Sequence, residues 1–246
     1  MHSRRCGHRG KTLRSRTVAG QVGEEAECLF EELTSEKLFQ FVDTAHAASL
    51  QRDLSTHVKC IDDPGFEPRY LCGMDAAYEG DTAFVAASVW DAVNKEIAET
   101  VTIVNGVSNK YVPGFLGFRE GPLLVKIAEK ILQKPDVFLI DGQGVAHPRR
   151  FGLACHVGLA LDRPTIGVAK SRLYGKSDDS NILDPEGEVI GRILTAQNRK
   201  FYVSVGHRIS LETASDLVEK SLVNGHPSPL RQAHLESNRA KQGGSD

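Results

Sequence analysis

Two short apolar runs, Val137-Phe138-Leu139-Ile140 and Thr165-Ile166-Gly167-Val168-Ala169, each stop at a charged residue, Asp141 and Lys170. Such runs are too short for ordinary helices. Being apolar at consecutive rather than alternate positions, they fit strands covered on both faces. A helical stretch, Phe151–Leu161, leads from one to the other. Three further strand-like runs come earlier, Tyr70–Ala77, Thr82–Asp91 and Glu96–Val107, with breaks at Glu79-Gly80-Asp81 and Val93-Asn94-Lys95 short enough for hairpins. Three antiparallel strands followed by alternating helix and strand predict a single α/β domain on a mixed sheet, with helices on its faces.

The rest of the chain fits that frame. Residues 24–54 lack Gly and Pro and carry Leu29, Leu33, Phe41, Ala45 and Ala48 at near-helical spacing, which predicts one or two leading helices. Asp62-Asp63-Pro64-Gly65 and the stretch Asn109–Gly121 read as loops. A helix is expected after the second, with Pro122 in its first turn and Leu124, Ile127, Ala128 and Ile131 on one face. Residues 175–187 read as a loop, Val189–Thr195 and Phe201–Val205 as strands, and Leu211–Leu222 as a helix. The chain therefore divides into a basic, poorly ordered extension (1–23), a catalytic-sized domain (24–226) and a polar, poorly ordered tail (227–246).

Charge and cysteine content narrow the class. The first twenty residues hold six basic side chains and no acidic one, leaving 24 basic against 32 acidic residues in the remainder. Net charge alone thus gives no reason to expect a polyanionic partner. The five cysteines have no C-x-x-C spacing and are odd in number, which points to reduced thiols rather than a zinc site or disulfide framework. No apolar run reaches membrane-spanning length, and the basic N-terminus has no apolar core of a secretory signal. A cytoplasmic monomer with no obligate protein partner and no membrane contact is the expectation.

Candidate chemistry lies where strands end, because loops converge there in open α/β sheets. Asp75 falls in or at the end of the apolar strand Leu71-Cys72-Gly73-Met74, Asp141 and Lys170 close the two short runs, Glu120 sits where a loop becomes a helix, and His207 follows Phe201–Val205. Carboxylates in such places are costly to desolvate unless paired or bound to a cation. An oxygen-donor cluster of this kind suits Mg²⁺ or Mn²⁺ and metal-assisted phosphodiester hydrolysis. Taken singly, each acid is equally well read as a helix cap or turn former.

The loop Lys110-Tyr111-Val112-Pro113-Gly114-Phe115-Leu116-Gly117-Phe118 sets apolar and aromatic residues in a connection that should lie at the surface. A stiff apolar loop can wedge between stacked bases; its aromatics can equally fold back into the core.

Longer strings are more specific. Tyr111–Glu120, Asp141-Gly142-Gln143-Gly144-Val145-Ala146-His147-Pro148-Arg149-Arg150, Pro164–Leu173, Gly206-His207-Arg208-Ile209-Ser210 and Gly73-Met74-Asp75 resemble, in collinear order, the motifs of the endonuclease V family. That resemblance covers roughly residues 24–235. It implies an RNase H-like fold and a Mg²⁺-dependent enzyme that cuts the second phosphodiester bond 3′ to deoxyinosine, leaving a 3′-hydroxyl and a 5′-phosphate. Inosine in single-stranded RNA is the alternative substrate. By the same resemblance Asp75 and Asp141 would be the principal metal ligands, completed by Glu120. His207 would bind a second metal or handle a proton, and Lys170 would stabilise the scissile phosphate. Tyr111, Val112 and Pro113 would form the wedge, with Gly114, Leu116 and Gly142 lining the base pocket. His147 and His156 lie near the site by motif, His156 as a packed structural residue. Lys110 departs from the family pattern, which has proline there, and the basic extension lies outside the match.

Overall fold

The computed structural model describes residues 37–107 and 111–243. The expectations for residues 1–36, including the basic extension and the first leading helix, and for Lys110 lie outside the described residues.

A single 3₁₀ turn, Lys37–Phe39, precedes helix α1 (Thr44–Ser55), whose first turn is capped by Asp43 accepting from the His46 amide at 2.7 Å. The strands β1 (Tyr70–Glu79), β2 (Thr82–Asp91) and β3 (Glu96–Gly106) then form the expected antiparallel meander. Helix α2 (Leu116–Ala128), strand β4 (Val137–Ile140), helix α3 (Leu153–Leu161) and strand β5 (Thr165–Ala169) follow. Both short apolar strands are buried along their whole length. After them come β6 (Lys176–Asp178), β7 (Asn181–Leu183), β8 (Val189–Ala196), β9 (Arg199–His207), α4 (Leu211–Lys220), the small hairpin β10 (Leu222–Val223) and β11 (His226–Pro227), and α5 (Ser228–Gly243).

Among the described residues the main sheet has nine strands in the order β3-β2-β1-β4-β5-β9-β8-β7-β6. β4 and β5 run parallel to β1, and β9 returns antiparallel to β5. Apolar side chains fill both faces. Met74, Val85, Phe138 and Ile140 pack with Leu124 and Ile127 of α2 and Val157 of α3. Leu71, Trp90, Leu139, Ile166 and Val203 pack on the opposite face with Val218 of α4 and Leu230 of α5. The result is helices on both sides of a mixed sheet, an RNase H-like α/β arrangement. No helix among the described residues is long and apolar enough to cross a membrane.

Three expectations need correction. The span 175–187 is not all loop, because β6 and β7 add a short hairpin to the sheet edge. Helix α2 begins at Leu116, six residues before Pro122, so the proline sits inside the helix rather than in its first turn. Its place is secured by packing: Gly117 and Gly121 lack the Cβ that would strike His156 and Phe39 at 2.5 and 2.2 Å. The polar tail is not loose either. Residues 228–243 form α5, which buries Leu230, Ala233 and Ser237 against β1 and β2. Gly73 makes this contact possible, since a Cβ there would lie 2.2 Å from the Pro229 backbone.

Candidate active site

Strand register assembles the acidic centre. Met74 pairs with Ile140 across the parallel β1–β4 ladder, so the next residues, Asp75 and Asp141, stand side by side. Side chains alternate along a strand, and both carboxylates point away from the α2 face, where Met74 and Ile140 are packed. Ile140 is also level with Gly167 of β5. Lys170 therefore lies on the same face as Asp141 and a little beyond it, and its Nζ donates to Asp141 Oδ2 at 2.5 Å. Glu120 arrives from α2 on the other side, where the Tyr78 hydroxyl donates to its Oε1 at 3.0 Å. An open crevice of about 430 Å³ is lined by Asp75, Glu120, Asp141, Lys170, His234 and Asn238, among others.

The charges in this crevice strain one another. Burial, with the neighbouring charges of Asp75 and Asp141, pushes the Glu120 carboxyl up to about 7 even though Tyr78 and Arg119 oppose the shift. Asp141 is also raised, chiefly by burial and further by Asp75, against the pull of Lys170. Burial disfavours the Lys170 ammonium, yet its bond to Asp141 and the charges of Asp141 and Asp75 hold its pKa above the ordinary value. Like charges confined together call for a cation. Oxygen donors from Asp75, Asp141 and Glu120 fit a hard divalent ion chemically, although no three His, Cys, Asp or Glu side chains among the described residues converge as a ready-made metal cage.

Four of the five sequence-predicted polar residues are thus brought together, and His207 is not. It pairs with Thr165, the first residue of β5, whereas Lys170 follows the last. The two ends are roughly 16 Å apart at the usual rise of a strand. His207 is buried there, accepting from the Lys59 amide through Nδ1 and facing Asp162 through Nε2 at 3.4 Å. The direction of β9 therefore places His207, expected as a metal-binding or proton-handling residue, away from the acidic crevice. The histidine at the crevice is His234, which sequence reasoning placed in a loose tail. His234 Nδ1 lies 3.2 Å from Asp75 Oδ2, and the Ser237 hydroxyl donates to the same oxygen at 2.8 Å. Their i, i+3 spacing on α5 directs both at one carboxylate.

Beside the crevice lies a second cavity of about 280 Å³, bounded by Tyr111, Gly114, Leu116, Asp141, Gly142, Lys170 and neighbouring residues. Gly114, Leu116 and Gly142 are the three residues expected around a base. Tyr111, Val112 and Pro113 at its margin are exposed, with Tyr111 at 61%. Val112-Pro113-Gly114-Phe115 makes a tight turn: the Phe115 amide donates to the Val112 carbonyl at 3.0 Å, with Gly114 at φ 80°. Proline then glycine at the two central positions is the composition of a type II turn. Only the distal aromatic folds inward: Phe118 is buried edge-on against His156, 4.8 Å between ring centres. His156 is fully buried and bonded through Nε2 to the Leu38 carbonyl, a structural residue as expected. His147 lines the cavity wall.

Sheet order and strand-end acids define an RNase H-like α/β protein with an acidic crevice next to a small cavity. Known proteins share this fold. The family model described as endonuclease V matches residues 52–235, and endonuclease V of Dictyoglomus turgidum is 37% identical over 213 residues, 82% of this chain and 93% of its own length. The chain belongs to the endonuclease V family. Among solved structures, Streptomyces avermitilis endonuclease V gives a TM-score of 0.77 at 33% identity, covering 84% of this chain and 96% of that one. Endonuclease V of Ciona intestinalis, in complex with a 24mer DNA containing an inosine followed by a ribo-adenosine, gives 0.75 at 26% identity, covering 81% and 97%.

Proposed function

We propose that this protein is an endonuclease that hydrolyses the second phosphodiester bond 3′ to deoxyinosine and related deaminated bases in DNA, leaving a 3′-hydroxyl and a 5′-phosphate. The observation that carries the reading is the adjacency of the two cavities. A base-sized space under an exposed apolar turn shares Asp141, Leu116 and Lys170 with the acidic crevice. A base turned out into the first would present its neighbouring backbone to the second.

Asp75 and Asp141, completed by Glu120, would hold Mg²⁺, for which Mn²⁺ can substitute. When bound, the cation polarises the phosphoryl oxygen, lowers the pKa of water and offsets charge on the leaving oxygen. The chain's own residues do the rest. His234 and Ser237 fix the Asp75 carboxylate, Tyr78 orients Glu120, and Lys170 stays protonated to meet the scissile phosphate. Tyr111, Val112 and Pro113 fill the gap left in the stack, while backbone groups near Gly114, Leu116 and Gly142 meet the base edge. Deamination replaces an amino donor by a carbonyl acceptor, and fixed backbone donors discriminate between the two.

The deciding experiment is a nicking assay on an inosine-containing duplex, with Mg²⁺ and again with EDTA. Metal-dependent cleavage on the 3′ side of inosine is the expected result, and its absence removes the proposal. A second reading, cleavage at inosine in single-stranded RNA, is favoured by the Ciona complex, whose DNA carries a ribonucleotide next to the inosine. Paired DNA and RNA oligonucleotides at equal Mg²⁺ separate the two by their kcat/KM.

A further inference from the structure

The exposed turn is held from behind by an unusual convergence. The Gly114 carbonyl receives Arg149 Nη2 at 2.7 Å, His147 Nε2 at 3.0 Å and Gln51 Nε2 at 3.1 Å. A carbonyl oxygen has two lone pairs, so three donors on one acceptor mark a site where position is over-determined. The donors are themselves tied together. Arg149 Nε donates to Gln51 Oε1 at 2.6 Å, the Arg149 amide donates to His147 Nδ1 at 3.2 Å, and Gln51 Nε2 also reaches the Phe151 carbonyl at 3.0 Å. The Arg149 guanidinium also lies over the Phe115 ring, 4.4 Å from its centre. Three distant pieces of chain, α1, the turn and the loop after β4, are locked at one atom.

We infer that Arg149, with Gln51, is a positioning residue that holds the wedge turn rigid over the base cavity, so that turning out a base from a paired helix is driven by a pre-set wedge. This rests on the function proposed above and extends it to residues that touch neither the metal site nor the scissile phosphate. The physical case is one of preorganisation. Tyr111 and Val112 are exposed apolar side chains at the entry to this four-residue turn. Left loose, such a turn would lose conformational entropy each time it entered a base stack. The clamp places that cost in folding instead. Gly114 adds a second constraint: a Cβ there would sit 3.0 Å from Arg149 Nη2, on a backbone already in the left-handed region. Only arginine offers the planar fork that bonds two acceptors while stacking on a ring, so lysine is a partial replacement at best.

The test compares wild type, Arg149→Lys and Arg149→Met on two substrates, a strand with one inosine in duplex form and the same strand alone. Separate kcat and KM values are measured on each. Loss of one or two charge-assisted hydrogen bonds predicts that duplex kcat/KM falls roughly ten- to a hundredfold. Single-strand kcat/KM falls much less, because a base outside a stack needs no wedge, so the duplex-to-single-strand ratio drops about tenfold. Fluorescence of a base analogue opposite the inosine, which rises on unstacking, should rise less with either variant. Equal losses on both substrates, or no loss on either, overturn the inference. Melting curves verify folding, and Arg149→Lys, which retains charge and most of the volume, carries the comparison if Arg149→Met does not fold. Wild type failing to cut any inosine substrate would strike the functional reading itself, before the variants are considered.

Discussion

At the scale of single residues, the acidic centre depends on Asp75 and Asp141 being neighbours in register. Asp141→Ala and Asp75→Ala are each expected to lower kcat by roughly a thousandfold, the cost typical of lost transition-state electrostatics, while lesion binding measured by gel shift largely survives. Normal cleavage by either variant would remove the metal-site assignment. His207 makes the opposite prediction. Because it is buried at the far end of β5, His207→Gln should lower the melting temperature and leave kcat within about twofold, by the cost of a disturbed buried hydrogen bond. The contrast between these residues shows what was legible in the chain. Asp75, Asp141 and Lys170 were readable because a charge inside an apolar strand, as at Asp75, or just after one creates a desolvation problem visible in sequence. His207 follows an apolar strand in the same way, yet β9 runs antiparallel to β5, and strand direction in a mixed sheet leaves no mark on local periodicity.

At the scale of elements, the meander and the two buried strands followed from the pattern of apolar residues, and most bounds agree within two residues. α5 did not show itself. Its buried side chains are Pro229, Leu230, Ala233 and Ser237, small or few, and the surface that receives them is small too, at Gly73. Close backbone approach replaces the broad apolar stripe that sequence reading relies on. The consequence is testable at the contact itself. Gly73→Ala puts a methyl into the Pro229 backbone, so α5 must shift, carrying His234 and Ser237 away from Asp75. The expected outcome is a loss of stability of about 1–3 kcal/mol in urea melts together with reduced kcat. A variant with unchanged kcat despite that destabilisation would mean that α5 does not support the acidic centre. Helix α2 was misplaced for a related reason: a proline normally marks a helix start, and here tertiary packing of Gly117 and Gly121 overrides it.

At the scale of the whole molecule, buried histidines set the response to acid. His147 and His156 are held down to about 4, each chiefly by burial; the Arg149 charge adds to the effect at His147. Above the unfolded value of about 6.5 neither state binds the extra proton, and stability is full. Between 6.5 and 4 the unfolded chain takes up protons that the native rings refuse, so stability falls as pH falls, by up to about 1.4 kcal/mol per pH unit for each ring. Thermal melts from pH 7.5 to 4.5 should show this decline, and His156→Phe should make it shallower; an unchanged slope would locate the acid sensitivity elsewhere. Divalent cations act at the other centre. Mg²⁺ is expected to raise the melting temperature of wild type by neutralising the crowded carboxylates, and to raise that of Asp141→Asn much less.

The bond from Ser237 to Asp75 joins residues 162 positions apart. On a ribosome adding ~5–20 residues per second, roughly 8–30 seconds separate the synthesis of one from that of the other. During that interval β1 to β5 can be complete in length while the cleft still lacks the helix that fixes its first carboxylate. The acidic crevice is therefore incomplete until α5 has been made and has docked, and a nascent chain that stops short of α5 is expected not to cut.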